Sequence, residues 1–510
     1  MLRLAAVLVV GALVVSGCTA AQDDARPTPT ASVSTTTPDA SGAPAGLEEY
    51  YEQRLVWESC EDGMECSTAL VPLDYADPAG TSVKVRMRRQ PAKGDDRIGA
   101  LLINPGGPGG SGYDFVASAR DMVSAAVQKR YDLVGFDPRG VHASSPDITC
   151  YPAPKMDALL AVDADYSTPE GVEAAIDRFA DFSQACLENT GPLLGHVDTV
   201  SAARDMDVLR AALGDSTLHY LGYSYGTQLG ATYAALFPQR VGRLVLDGAV
   251  DPTLTSDEAT YGQAVGFENA LRAYVEDCQA GARCPLPGDV DRGMAQIRRL
   301  LDRARISPLP TGDAARPLTQ SLAFTGIAVT LYSKDSWRYL TSALTAALRD
   351  NDGSVLLQLS DIYYDREANG TYSSNSTEAF WSIGCLDDRA SADPDVMAAE
   401  AARIEKAAPT VGMAFTYAGV LCARWAVPEV GGLDDYSAPG AAPIVVIGTT
   451  NDPATPYQQA VALADILDSG TLLTFEGEGH TAYGSSNACV ADAVDGYLID
   501  GTVPEDGLRC

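Results

Sequence analysis

From about Leu47 onward, short apolar runs alternate with stretches whose apolar residues recur every three or four positions. "SVKVRMR" (82–88) alternates with period two. "GALLINPGG" (99–107), "YDLVGFDPRG" (131–140), "LHYLGYS" (218–224), "RLVLDGA" (243–249), "PIVVIGTTND" (443–452) and "GTLLTFEGEGH" (470–480) are apolar runs that close on glycine, proline or polar residues. Continuous apolar strands separated by helices predict an α/β fold with a mostly parallel central sheet, covered on both faces. "VSAARDMDVLRAALG" before Leu218 and "TQLGATYAALF" after Ser224 supply two of the helices. Between Pro252 and Gly440 the strand pattern stops. "EATYGQAVGFENALRAYVEDC", "GMAQIRRLLDRARI" and "SKDSWRYLTSALTAALRD" carry the spacing of amphipathic helices. The organisation expected is an α/β body in two parts, 47–251 and 441–510, with a mainly helical cap, 252–440, inserted after the strand at 243–249.

The N-terminus departs from this pattern. Arg3 is followed by an apolar run from Leu4 to Val15, too short to span a bilayer comfortably. It leads into "VSGC", which resembles the lipobox of bacterial lipoproteins. That resemblance implies a signal segment, 1–18, cut before Cys18, with Cys18 then lipidated. The alternative is an ordinary signal peptide cut near Ala20 or Ala21; either route exports the protein, lipid-anchored on the outer side of the cell membrane or secreted. Residues 19–46 are Thr, Ser, Pro, Ala and Asp with almost nothing to bury, which predicts a disordered stalk between anchor and body.

Eleven cysteines include ten beyond Cys18, an even number that suits an oxidising compartment. Short loops suggest Cys60–Cys66 and Cys278–Cys284. The remaining neighbours are then Cys150–Cys186, Cys385–Cys422 and Cys489–Cys510, although spacing alone does not fix connectivity. There is no C-x-x-C pair and the four histidines are scattered, so no metal is expected. A formal net charge of −32 argues against nucleic acid as a partner and describes a well-solvated acidic surface; it also suits cationic ligands such as free amines.

"GYSYG" (222–226) matches G-x-S-x-G, with a strand directly before it and a helix directly after. That is the setting of a nucleophile elbow, in which Ser224 sits on a sharp turn at the end of a strand. A serine hydroxyl needs a base. His219 lies within the strand before the elbow, and His142 and His196 follow no late strand. His480 ends the last long strand and is the expected base. Asp452, at the end of the preceding strand, is the expected acid; Asp247, one strand earlier, is the rival, with shaping of the loop into the insertion as its other role. "NPGGPGGSG" (104–112) lacks the lysine of a phosphate loop, so no nucleotide is expected. Its glycines allow close backbone approach, and Gly107 together with Tyr225 is the expected pair of oxyanion donors.

Together with "VPLDY" (71–75), "YDLVGFDPRG", "RDMDVLRAALG", the run from Tyr220 to Pro252, "FWSIGCLD" (380–387), "NDPATP" and "GEGH", these motifs resemble the α/β-hydrolase fold. More narrowly they resemble the secreted tripeptidyl aminopeptidase family of serine peptidases, relatives of the proline iminopeptidases. Asn104 and Pro105 stand where proline iminopeptidases carry His-Gly. "GVHASSP" (140–146) departs from the commoner form, so no role passes to His142. The resemblance implies serine-dependent release of short peptides from free N-termini, with Ser224, Asp452 and His480 as the triad, the insertion as cap, and no cofactor. Under the cap, Asp387 is the candidate for the substrate amine and Trp381 for an apolar wall, each with a purely structural role as its alternative. Thr455 either supports the acid's loop or touches substrate. Two competing functions use the same features: an esterase or lipase with this triad, and a non-catalytic peptide-binding lipoprotein.

Overall fold

The computed structural model describes residues 32–33 and 37–510. Cys18 and the first part of the expected stalk lie outside them. The strands form one sheet in the order β1-β2-β3-β4-β6-β5-β7-β8-β9-β10-β11. Four of them, β1 (Ser32–Val33), β2 (Val56–Ser59), β3 (Glu65–Pro72) and β4 (Ser82–Gln90), make an antiparallel flank, and β4 also pairs antiparallel with β6. The rest is parallel: β5 (Gly99–Asn104), β6 (Tyr131–Phe136), β7 (Leu218–Tyr223), β8 (Val241–Asp247), β9 (Ile444–Asn451), β10 (Gly470–Glu478) and the two-residue β11 (Leu508–Arg509).

Alternate residues of the buried parallel strands feed two cores, as a sheet covered on both faces requires. Leu101, Ile103, Val245, Val445 and Ile447 point to one face; Leu102, Leu244, Leu246, Ile444 and Val446 point to the other. Around the sheet run α1 (Glu48–Tyr51), α2 (Gly112–Met122), α3 (Ala125–Arg130), α4 (Ala153–Leu160), α5 (Pro169–Thr190), α6 (Thr199–Leu213) and α7 (Tyr225–Leu236). After β8 the chain leaves the sheet for α8 (Ser256–Ala280), α9 (Val290–Ile306), α10 (Gln320–Leu331), α11 (Trp337–Thr345), α12 (Ser354–Tyr363), α13 (Ser376–Asp387) and α14 (Pro394–Ala407). It returns at β9, and α15 (Tyr457–Ile466) and α16 (Ala488–Asp500) complete it. The start of α8 is fixed by a capping box between Thr255 and Glu258.

Among the described residues five disulfides form: the two short loops Cys60–Cys66 and Cys278–Cys284, and the neighbouring pairs Cys150–Cys186, Cys385–Cys422 and Cys489–Cys510, whose connectivity spacing alone left open. One expectation is corrected. The segment up to 46 was expected to be stalk throughout, yet its end is held on the body. Asp39 N–H donates to the Ala211 carbonyl at 2.9 Å, and Arg240 reaches the Ser41 and Gly42 carbonyls. Composition concealed this because most of the attachment uses backbone groups, which every residue carries, with the Asp39 carboxylate 3.7 Å from Arg210 as an ionic addition.

Three of the sequence motifs meet in a buried network rather than at a site. The Arg139 guanidinium of "DPRG" forms a bidentate ion pair with Asp205 of "RDMD", at 2.6 and 2.7 Å, and donates to the carbonyls of Pro72 and Leu73 in "VPLDY". Tyr75 donates to the same carboxylate at 2.8 Å. Both charges are fully enclosed, so each depends on the other and on these added hydrogen bonds.

Candidate active site

Register places the ends of the central strands side by side: Asn104 of β5 pairs with Gly222, and Tyr223 of β7 pairs with Asp247 of β8. Ser224 follows immediately. Its φ of 56° and ψ of −126° lie outside the region a serine adopts freely, which is the strained turn an elbow needs. The turn is held by Ser224 N–H donating to the Asp247 carbonyl at 2.9 Å and by Thr227 N–H donating to the Ser224 carbonyl at 2.8 Å. Only glycine fits beside it. A Cβ on Gly106, itself at φ 95°, would lie 2.5 Å from the Tyr223 carbonyl oxygen and 2.8 Å from the Ser224 Cβ.

His480 and Asp452 stand at the ends of β10 and β9. The Asp452 carboxylate accepts the His480 Nδ1–H at 2.8 and 2.9 Å, which leaves Nε2 as the lone-pair nitrogen. Nε2 is buried and has no hydrogen-bond partner among the described residues. Asp452 also accepts Ala454 N–H, Thr455 N–H and the Thr455 hydroxyl, the last at 3.1 Å. Thr455 thus supports the acid's loop, and its Oγ1 lies 3.4 Å from His480 Nδ1. Burial disfavours the imidazolium, but the Asp452 charge and hydrogen bond, helped by Asp247, outweigh it, so the His480 pKa lies above the ordinary histidine value.

Asp247 does not hold His480 as an acid would. Its carboxylate accepts Ala482 N–H at 3.0 Å and Tyr483 N–H at 2.7 Å, which fixes the loop just after the base rather than the loop into the insertion. Complete burial pushes it up to about 7 despite those two donors. His219 is a core residue: it packs edge-on against Tyr131, its Nδ1 accepts Arg243 N–H, and burial draws its pKa down to about 4. His142 pairs with Asp114 at 3.1 Å, and its backbone N–H donates to Asn375.

The glycine loop 104–112 lies against the elbow. Gly106 N–H donates to Asn104 Oδ1, and Gly110 N–H donates to the Gly106 carbonyl. At its far end Ser111 caps α2 and donates to Asp137. Neither the Gly107 N–H nor the Tyr225 N–H has an acceptor among the described residues; for Tyr225 this is what the first residue of a helix shows.

Helix α13 bridges this site. Near its start Ala379 and Phe380 press on Gly109, where a Cβ would lie 2.9 Å from the Ala379 Cβ. At its end Asp387 accepts both the Thr199 N–H and the Thr199 hydroxyl, and Thr199 Oγ1 is 2.5 Å from the Tyr225 hydroxyl. Burial, opposed by the Thr199 hydrogen bonds, holds Asp387 at about 7. Asp387 is therefore one side chain removed from the residue after Ser224. Trp381 is not free to form a wall with its whole ring: its indole is packed edge-on between Phe179 and Phe182 of α5, at 5.6 and 5.2 Å between centroids.

Several contributors escaped the sequence. Tyr332, after α10, accepts the His480 N–H and stacks edge-on to its ring. Gly266 of α8 sits on the acid's loop, where a Cβ would lie 2.6 Å from the Pro453 carbonyl oxygen. Gly262 and Gly266, four apart on one helical face, were the available signal for that close approach.

The α/β-hydrolase fold family model matches residues 99–485. Serine protease Hip1 of Mycobacterium tuberculosis is 41% identical over 479 residues, covering 90% of this chain and 91% of that protein. Carboxylesterase B of the same organism is 39% identical over 469 residues, covering 89% of each. Tripeptidyl aminopeptidase of Streptomyces lividans is 31% identical over 491 residues, covering 92% of this chain and 89% of that enzyme. With a strained serine after β7, a carboxylate and a histidine joined at the ends of β9 and β10, and relatives matched almost end to end, the chain belongs to the α/β-hydrolase family of serine hydrolases, in the branch it shares with the tripeptidyl aminopeptidases.

Proposed function

We propose that the protein is an exported serine exopeptidase that releases short peptides, tripeptides above all, from free N-termini through an acyl-enzyme. The observation that carries the chemistry is the buried, unpartnered His480 Nε2, with Nδ1 fixed on Asp452, on a loop that Asp247 ties to the strained Ser224 turn. Ser224 Oγ attacks the peptide carbonyl while His480 Nε2 takes its proton. Gly107 and Tyr225 N–H groups hold the oxyanion, and His480 returns the proton to the departing amine. Water, activated by the same histidine, then releases the acyl group.

Asp387 supports the exopeptidase reading. It is a carboxylate close to the nucleophile's own loop, with an ammonium as its natural counter-charge; two Thr199 hydrogen bonds leave lone pairs unused. The signal-like N-terminus, the Cys18 motif and the five disulfides support export with a lipid anchor. The name of the carboxylesterase relative favours a second reading, ester hydrolysis by the same residues. Tripeptide anilides with free amines, compared with their N-blocked forms, separate the two. Cleavage confined to the free-amine set is expected. Equal cleavage of both, or turnover of acyl esters alone, overturns the aminopeptidase reading.

A further inference from the structure

Asp452 and the loop pinned by Asp247 enclose His480 on the body's side. On the cap's side stands Tyr332. Its carbonyl accepts the His480 N–H at 2.8 Å, and its ring is perpendicular to the imidazole with centroids 5.3 Å apart. Gly479, at φ 103°, makes room for that contact: a Cβ there would lie 2.9 Å from the Tyr332 carbonyl oxygen. Tyr332 is only half-buried, and its hydroxyl is turned towards Tyr363 at the end of α12. Tyr363 is 43% exposed and its neighbour Ile362 is 60% exposed. An aromatic ledge therefore begins at the base and runs out to solvent.

The reaction decides what passes along it. The departing nitrogen must take its proton from Nε2, so it comes within hydrogen-bond reach of that atom. The residue that carries this nitrogen then lies on the flank of His480, where Tyr332 stands. We infer that Tyr332 and Tyr363 form the subsite for the residue immediately after the scissile bond, and that this subsite takes an aromatic or large aliphatic side chain. The inference rests on the acyl-enzyme reading above. It concerns the leaving side of the substrate, whereas Asp387 concerns the free amine.

The test uses the full chain and peptides that share one N-terminal tripeptide, followed by Gly, Asp, Leu or Phe. For the unaltered protein, kcat/KM for Phe and Leu should exceed that for Gly by about tenfold. Tyr363→Ala, on an exposed side chain, should bring the four values to within about twofold of one another, while Tyr332→Phe, which keeps the ring, should preserve the preference. A flat profile in the unaltered protein, or a variant that slows all four peptides equally, overturns the subsite. If Ser224 reacts with a fluorophosphonate but no free-amine peptide is cleaved, the aminopeptidase reading fails, and methyl and benzyl esters of one acid test the same ledge. Faster benzyl turnover that Tyr363→Ala abolishes supports it; equal turnover of the two esters overturns it.

Discussion

The Asp247 carbonyl accepts the Ser224 N–H at 2.9 Å, while the carboxylate of the same residue holds Ala482 and Tyr483, just beyond His480. One residue thus ties the elbow and the base's loop to the end of a single strand. Asp247→Ala should destabilise the fold by about 2–4 kcal/mol, since two buried N–H groups lose their acceptor. Denaturant unfolding measures this.

Asp247 also gives a pH signature. Its folded pKa, about 7, lies above its ordinary 3.8, so between those values the folded state binds more protons than the unfolded one. Its contribution to stability is therefore full below about 4 and is lost as pH rises towards 7. In Asp247→Asn the stability profile across this window should change slope by up to about 1.4 kcal/mol per pH unit. An unchanged slope would show that the group does not titrate there.

His480 must be neutral to accept the Ser224 proton. Because its pKa is raised, the acid limb of kcat/KM should fall at a pH above the ordinary histidine value of 6.5, with activity rising as pH increases through it. Asp452→Asn should lower that midpoint and reduce kcat by about 10⁴-fold. Ser224→Ala should abolish fluorophosphonate labelling.

Thr455→Val removes the hydroxyl that donates to Asp452 Oδ2 but keeps the side chain's shape. The loss of one hydrogen bond to a carboxylate should lower kcat by about tenfold with little change in KM. A change in KM alone would instead assign Thr455 to substrate contact.

Gly266→Ala sets a methyl group 2.6 Å from the Pro453 carbonyl oxygen and 3.2 Å from that of Asp452. Helix and loop must separate, at about 1–3 kcal/mol, and kcat should fall as Asp452 moves. Ala in place of Gly384, which has open space around it, is the control.

What the sequence made legible follows from what each signal measures. Apolar runs located β5 to β10 and period-two alternation located β4, whereas the short β2, and β3, whose apolar residues are interrupted by Ser and Thr, carried neither pattern. The Asp452–His480 pair and the Ser224 turn could be anticipated because each lies at the end of a strand, and strand ends are local features. Asp247 was noticed, but its partners at 482 and 483 are more than two hundred residues away, so its task was not. Tyr332 acts through a backbone carbonyl, which has no residue-type signature, and Gly266 through the space its missing side chain leaves, for which the Gly262–Gly266 spacing was the sole sign. For Trp381 the sequence leaves an apolar wall and a structural role equally open, because the aromatic partners that pack its indole, Phe179 and Phe182, are distant in sequence.

The attachment of Asp39 to Ala211 bears on how the enzyme can be handled. Helix α6 begins at Thr199, beside Tyr225, and Ala211 is twelve residues along it, about 18 Å away at 1.5 Å per residue. The clasp at Asp39 therefore lies at the far end of α6 from the Thr199–Tyr225 contact. A shortened chain starting at Leu47 would lose this clasp, so a truncation that keeps the body intact has to begin before Asp39.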